Sequence, residues 1–89
     1  MIRREVEIVN KLGLHARAAA RFVNVASGFA AEILVRRDGT EVNGKSIMGV
    51  MMLAAARGTR LELVADGPDE QEAIDRLAEL IANRFDESE

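Results

Sequence analysis

The chain has 89 residues and no cysteine, which excludes disulfide bonds, thiolate metal sites and thiol nucleophiles. Its 48% hydrophobic content includes only 3% aromatic residues, so an aliphatic core is expected, and the formal net charge of −3 gives no general affinity for nucleic acid. No apolar run approaches the length of a membrane span and no secretory signal is recognisable. We therefore expect one cytoplasmic domain, residues 1–89, without membrane insertion.

Charge is unevenly distributed along the chain. Residues 1–29 carry five basic residues against two acidic ones, whereas residues 66–89 carry nine acidic residues against two arginines. The N-terminal part would therefore suit an acidic partner surface. The counts alone are equally compatible with two solvated ends of one domain.

The N-terminal third reads as a strand, a loop and a helix. Residues 2–9 alternate between apolar and charged side chains, which predicts a half-buried strand with Arg4 as the exception. Residues 10–14 follow as a loop containing Gly13. A helix is then predicted from about residue 16 to residue 26, ending near Gly28. Its apolar stripe is predicted to comprise Ala16, Ala19, Ala20, Val23 and Ala26.

The middle of the chain is predicted to form a hairpin and a short helix. Residues 32–37 and 40–43 are the two strands, because Asp38-Gly39 supplies the residues of a tight turn. Ser46 stands where an N-cap belongs, ahead of a helix that is apolar nearly all round. Gly58 is expected to close this segment.

The C-terminal third is predicted to form a fourth strand, residues 60–66, and a last helix. Asp69 can cap this helix with Glu72 as its capping-box partner. Residues 86–89 have the composition of a frayed tail. The buried stripe of the helix is predicted to comprise Ile74, Leu77, Ala78, Ile81 and Phe85.

The element order is therefore β-α-β-β-α-β-α. Short strands with one apolar face each predict an α+β fold, in which a four-stranded antiparallel sheet carries three helices on one face. The sequence contains no linker, internal repeat or low-complexity segment.

The candidate functional stretch is Gly13-Leu14-His15-Ala16-Arg17, where the loop enters the first helix and where the only histidine lies. Backbone N–H groups are unpaired in the first turn of a helix, and the helix dipole favours negative charge there. The amides of Ala16 and Arg17 and the Arg17 guanidinium could therefore hold an anion on the imidazole. A lone histidine is more often a surface or capping residue. The combination nevertheless favours a phosphoryl group bound covalently to a ring nitrogen of His15.

Two separated motifs resemble the histidine-containing phosphocarrier (HPr) family of the bacterial phosphotransferase system. They are the stretch from Gly13 to Arg17 and Asn43-Gly44-Lys45-Ser46-Ile47-Met48, and the resemblance extends from about residue 2 to residue 85. It implies an open-faced β-sandwich that carries phosphoryl groups without a cofactor and is not itself an enzyme. In the family, enzyme I passes phosphate from phosphoenolpyruvate to the histidine matching His15, and a IIA protein or domain accepts it. The arginine matching Arg17 assists the phosphohistidine.

Two positions depart from the pattern of the sugar branch. Ala18 stands where many members have proline, and Leu12 stands where serine or threonine is frequent. The run His-Ala-Arg-Ala-Ala is more similar to the nitrogen-related or proteobacterial versions of the carrier. Two alternatives therefore stay open: a carrier that feeds sugar uptake, and a nitrogen-related regulator that acts through phosphorylation-dependent protein binding. A nucleic-acid-binding domain is a third hypothesis, which the scarcity of aromatic residues disfavours.

Ser46 matches a serine that some lineages phosphorylate, so the resemblance implies a serine kinase as a further partner. A phosphate there would add nearly two negative charges to the partner face. A short helix that is apolar all round cannot bury every side, and flexible methionines suit a surface that fits different partners. We expect a monomer without a metal site. Its partner-binding surface, called the docking surface below, is predicted to comprise Leu12, Ala20, Ile47, Met48 and Met51.

Overall fold

The computed structural model describes residues 1–89 as one four-stranded antiparallel sheet and three helices. The sheet order is β1-β4-β2-β3, so the first and last strands pair. The predicted α+β fold and element order are confirmed, and no helix is long and apolar enough to cross a membrane. The elements are β1 Ile2–Glu7, α1 Ala16–Ser27, β2 Glu32–Arg37, β3 Thr40–Asn43, α2 Ile47–Met52, β4 Arg60–Asp66 and α3 Glu70–Ala82.

β1 is shorter than predicted and its exceptional arginine has a partner. The strand ends at Glu7 rather than at residue 9, although the Ile8 N–H still donates to the Thr59 carbonyl at 2.9 Å. Arg4 lies at a half-buried position of the strand. Its Nη2 donates to Asp75 Oδ1 on α3 at 2.6 Å. A long arginine stem can cover apolar surface in this way while its charged head reaches the rim.

A cluster of 22 buried hydrophobic residues forms the core. Ile33 and Val35 of β2 and Leu61 and Leu63 of β4 belong to this core. The predicted stripe of α1 is only partly correct. Ala16 is exposed and Ala20 is half-buried, whereas Phe22 is buried. Alanine occurs on every face of α1, so the spacing of alanines defines the buried face poorly, and the large Phe22 ring decides it. The buried residues of α1 are Ala18, Ala19, Phe22, Val23 and Ala26.

The predicted hairpin turn between β2 and β3 is confirmed, whereas the predicted end of α2 is not. Asp38 and Gly39 both have positive φ, 47° and 84°, which is the geometry of a tight hairpin turn. α2, by contrast, ends at Met52, well before Gly58. Ala54 adopts a left-handed conformation with φ 49° directly after the last turn, so Gly58 is not the helix terminator. The Gly58 N–H instead donates to the Ile8 carbonyl at 2.7 Å, next to the end of β1.

The start of α3 contradicts the predicted capping box. Asp69 makes no side-chain bond to its own helix, and Glu72 is exposed. The two carboxylate oxygens of Asp69 accept the backbone N–H groups of Ala30 and Ala31, both at 2.8 Å. A tertiary pair of donors has therefore replaced the local partner that the sequence pattern suggested. The Asp69 side chain joins the start of α3 to the segment before β2.

The predicted stripe of α3 is correct at Ile74, Leu77 and Ile81, whereas Ala78 is only half-buried. Phe85 is buried as expected, but it lies beyond the end of α3. It belongs to a left-handed turn, Arg84–Asp86, whose three residues have φ values of 58°, 52° and 64°.

The prediction of a frayed tail at residues 86–89 is wrong. The left-handed turn sends the chain back toward the start of α1, where the Lys11 N–H donates to the Glu89 carbonyl at 2.6 Å. The fully buried Phe85 ring anchors the turn in the core. Composition alone suggested disorder because the tail is polar, but one buried aromatic residue is enough to fix where the chain returns.

Candidate functional site

Gly13 presses the loop before α1 against the segment after α2. Its φ is +67°, and a Cβ at this position would lie 2.5 Å from the Ala55 carbonyl oxygen. The next residue, Leu14, is buried and donates its N–H to that same oxygen at 2.9 Å. The loop conformation that leads into His15 is therefore available to glycine alone.

His15 is the N-cap of α1. Its backbone is extended, with φ −72° and ψ 175°, and its carbonyl accepts the Ala19 N–H at 2.9 Å. Its Nδ1 accepts the backbone N–H of Arg17 at 3.3 Å, so Nδ1 carries the lone pair of the ring. In the neutral imidazole the proton then belongs to Nε2. The side chain is 29% exposed, which leaves it accessible from solvent.

Ala16 and Arg17 form the first turn of α1, and both are exposed. Backbone N–H groups in a first turn have no acceptor within the helix, and they point toward the capping residue. The Arg17 guanidinium makes no hydrogen bond or ion pair within the chain. The first turn therefore places backbone amides next to His15, and Arg17 lines the same surface cleft as His15.

Ser46 is the N-cap of α2. Its Oγ accepts the Gly49 N–H at 3.1 Å, and the residue is half-buried. This geometry is the predicted cap. It leaves the hydroxyl at the end of a six-residue helix whose apolar residues are largely exposed.

The docking surface is exposed at four of its five members. The exposed fractions are 67% for Leu12, 42% for Ile47, 76% for Met48 and 41% for Met51, whereas Ala20 is half-buried. Met52 is also 76% exposed, and the sequence analysis did not include it. α1 and α2 pack against each other, so the helix start that holds His15 and the apolar residues of α2 belong to neighbouring elements.

The sequence did not single out three residues that link the start of α1 to the C-terminal tail: Glu87, Asn10 and Arg21. Glu87 Oε2 pairs with His15 Nε2. The Nδ2 of the fully buried Asn10 donates to Glu87 Oε1 and to the Gly13 carbonyl, both at 2.9 Å. Arg21 donates to the Phe85 carbonyl. No local pattern could reveal these contacts, because most of them join residues at opposite ends of the chain.

Glu87 is held as an anion. Burial raises the pKa of this carboxyl, but hydrogen bonds from Asn10 and His15, together with the charge of Arg21, outweigh that effect and leave the pKa below its usual value. The carboxylate lies in an open cleft between the start of α1 and the tail. The charged residues lining the cleft, in addition to His15, are Lys11, Arg17, Arg21, Asp86, Glu87 and Glu89.

Comparisons with known proteins agree with one another. A family model described as the PTS HPr component phosphorylation site matches residues 2–83. Phosphocarrier protein HPr of Cupriavidus necator is 55% identical over 89 residues, covering all of both chains. The protein of that name from Pseudomonas aeruginosa is 57% identical over 86 residues, 96% of each chain.

Solved structures show the same relationship. The crystal structure of HPr-C-His from Thermoanaerobacter tengcongensis is 48% identical, with a TM-score of 0.96 over 100% of both chains. The crystal structure of a phosphocarrier protein HPr from Bacillus anthracis is 41% identical, with a TM-score of 0.87 over 90% of this chain and 95% of that one.

Proposed function

Because the chain belongs to the HPr family of phosphocarriers of the phosphotransferase system, we propose that His15 is the residue that carries the phosphoryl group. The donor is enzyme I and the acceptor is a IIA protein or domain, all in the cytoplasm. The observation that supports this site most strongly is the Nδ1 lone pair of His15, which faces the first turn of α1. The chain acts as a stoichiometric carrier rather than as an enzyme, since its partners supply the remaining groups for transfer.

The transfer step uses groups already in place. The Nδ1 lone pair attacks phosphorus, the bond between phosphorus and the donor atom breaks, and its electron pair stays with the donor. The backbone N–H groups of Ala16 and Arg17 and the Arg17 guanidinium bond to the phosphoryl oxygens. In onward transfer a nucleophile of the acceptor attacks phosphorus, the bond between Nδ1 and phosphorus breaks, and its electron pair returns to Nδ1. Both steps are accessible because a ring nitrogen near neutral pH is both a good nucleophile and a good leaving group.

The docking surface and Ser46 extend the proposal to the partners. Exposed aliphatic and methionine side chains of α2 contact enzyme I and the IIA protein in turn, because flexible methionines adapt to different partners. A serine kinase acts at Ser46, where a phosphate would place negative charge beside this surface. The relatives named above are called phosphocarrier protein HPr, and none of them supports the nitrogen-related alternative.

The test is phosphorylation by phosphoenolpyruvate and an enzyme I from a bacterium that carries one of these relatives. We expect one phosphoryl group per chain, labile to acid and stable to base. His15→Asn should abolish uptake while keeping a good N-cap residue at the start of α1. Asp38→Asn, in the exposed hairpin turn, is the matched control and should retain full uptake. Acid-labile phosphate on the His15→Asn protein would refute the proposal.

A further inference from the structure

The imidazole of His15 is held at both nitrogens. Nδ1 accepts the Arg17 N–H at 3.3 Å, and Nε2 pairs with Glu87 Oε2. The second oxygen of Glu87 accepts the Asn10 Nδ2 at 2.9 Å. The same Asn10 amide also binds the Gly13 carbonyl in the loop before His15, so one buried side chain fixes both the carboxylate and the loop.

The chain reaches this arrangement through an unfavourable backbone. Arg84, Phe85 and Asp86 all have positive φ, a conformation that residues with a Cβ rarely adopt, and here three occur in succession. The buried Phe85 ring and the Arg21 hydrogen bond to the Phe85 carbonyl hold the turn. Backbone strain of this kind persists where surrounding contacts impose it, and it is concentrated at functional positions. Here its result is that Glu87 lies against His15.

We propose that Glu87 is a positioning residue for phosphoryl transfer. Its carboxylate accepts a hydrogen bond from the Nε2–H of His15, which keeps the proton on Nε2 and leaves the lone pair on Nδ1. The inference rests on the proposed function of His15. Carboxylates that bind the second nitrogen of a functional imidazole fix its tautomer and its ring orientation in the same manner. Asn10 is the residue that holds the carboxylate in place.

The charge on the His15 ring changes during the transfer. When the Nδ1 lone pair bonds to phosphorus, the neutral ring becomes positively charged and keeps its proton on Nε2. No proton needs to leave or arrive, since the electron pair of the broken bond remains with the donor. The Glu87 carboxylate lies next to the ring when this positive charge develops, and it stabilises the transition state more than the neutral starting ring.

Three variants separate these two roles. Glu87→Gln keeps a carbonyl oxygen that can accept the Nε2 proton but removes the charge, whereas Glu87→Ala removes both. Glu89→Gln is the matched control, because Glu89 belongs to the same tail and pairs with Lys11 at 3.2 Å without contacting His15. Asn10 is left unchanged in all three, so its bond to the Gly13 carbonyl stays available.

The first readout is the nitrogen NMR spectrum of the unphosphorylated imidazole, which distinguishes the two neutral tautomers. We expect the Nε2–H tautomer to predominate in the wild type, in Glu87→Gln and in Glu89→Gln, and to lose its predominance in Glu87→Ala. The second readout is the rate of phosphoryl uptake from enzyme I. We expect the uptake rate of Glu87→Gln to fall about tenfold, because the variant loses a hydrogen bond to a charged group at a partly exposed site. The rate of Glu87→Ala should fall further.

Two results would overturn the inference. One is a wild-type ring whose neutral form carries its proton on Nδ1. The other is a Glu87→Ala protein whose tautomer and uptake rate equal those of Glu89→Gln. Either result leaves His15 standing as the residue that carries the phosphoryl group as long as uptake still requires it, so failure of the two proposals is distinguishable.

Discussion

His15 combines two roles in one side chain. As an N-cap it accepts a backbone N–H through Nδ1, and the same lone pair is the proposed nucleophile. The cap therefore contributes to the orientation of the ring before a donor arrives. In the proposed transfer, binding of phosphorus to Nδ1 would release the Arg17 N–H, which would become available to a phosphoryl oxygen. The position of His15 depends on the loop before α1, and that loop depends on Gly13.

Gly13→Ala should destabilise the fold by about 2 kcal/mol or more, because the added methyl group would meet a backbone oxygen at 2.5 Å and the residue has φ +67°. Urea denaturation measures the change. Gly39→Ala is the matched control: its φ is +84° but nothing lies within 4 Å of the added methyl group. It should lower the free energy of unfolding by only about 1 kcal/mol, the cost of holding alanine in the left-handed conformation. Equal losses in the two variants would show that the contact with Ala55 does not constrain the loop.

At the scale of elements, α2 serves the surface more than the core. It has six residues, only Val50 among them is buried, and its Ser46 cap satisfies one backbone N–H at its start. A helix this short gains little from its own hydrogen bonds and is stable through packing. Its exposed methionines and its capped N-terminus belong to the same short helix. We therefore expect charge at residue 46 to change the affinity of a partner that binds the methionines.

Ser46→Asp should weaken binding of enzyme I and leave stability within about 1 kcal/mol of wild type, because aspartate is as good an N-cap as serine. The new charge opposes an acidic partner surface and desolvation of the α2 side chains, so the loss of affinity should shrink in high salt. Titration with enzyme I at two salt concentrations measures it.

Gln71→Glu, which adds a negative charge at an exposed position of α3, controls for net charge and should bind like wild type. Unchanged affinity of Ser46→Asp would mean that the N-terminus of α2 does not face enzyme I. A loss of affinity accompanied by a proportionate loss of stability would mean that Ser46 has a capping role alone.

At the scale of the whole molecule, the contacts that sequence reasoning could not find are those that join distant elements. Strand alternation and helix caps depend on neighbours in the chain, which is why β2, β3 and β4 and the cap at Ser46 agreed with prediction. Asp69, by contrast, could accept hydrogen bonds from the first turn of its own helix or from a segment distant in the chain. It accepts the distant Ala30 and Ala31 amides. The contacts of the tail with Asn10 and His15 depend on where the buried Phe85 ring is anchored. The spacing of residues along the chain does not predict that position.

Asp69 also makes the molecule sensitive to acid. Hydrogen bonds from the Ala30 and Ala31 amides hold the pKa of Asp69 below its ordinary value. A lowered folded-state pKa contributes stability that is present above the unfolded value, about 3.9, and is lost as pH falls through the folded value. We expect the free energy of unfolding to decline below about pH 4, with contributions from Asp75, Glu70 and Glu87, whose pKa values are also lowered.

Urea denaturation across this pH range tests the assignment. Asp69→Asn should lower stability at neutral pH and reduce the loss on acidification, since the amide cannot accept both N–H groups and does not titrate. Asp38→Asn is the control and should follow the wild-type curve. An Asp69→Asn curve parallel to wild type at all pH values would contradict the role of these two hydrogen bonds.

We propose that the phosphoryl group is carried on the lone pair that His15 presents to the first turn of α1. The most direct test is the phosphorus–nitrogen coupling in the NMR spectrum of protein labelled with nitrogen-15 in histidine and phosphorylated by enzyme I and phosphoenolpyruvate. We expect a one-bond coupling between phosphorus and Nδ1 of His15. Coupling to Nε2, or phosphorus bound to a hydroxyl oxygen with no coupling to the ring, would contradict it.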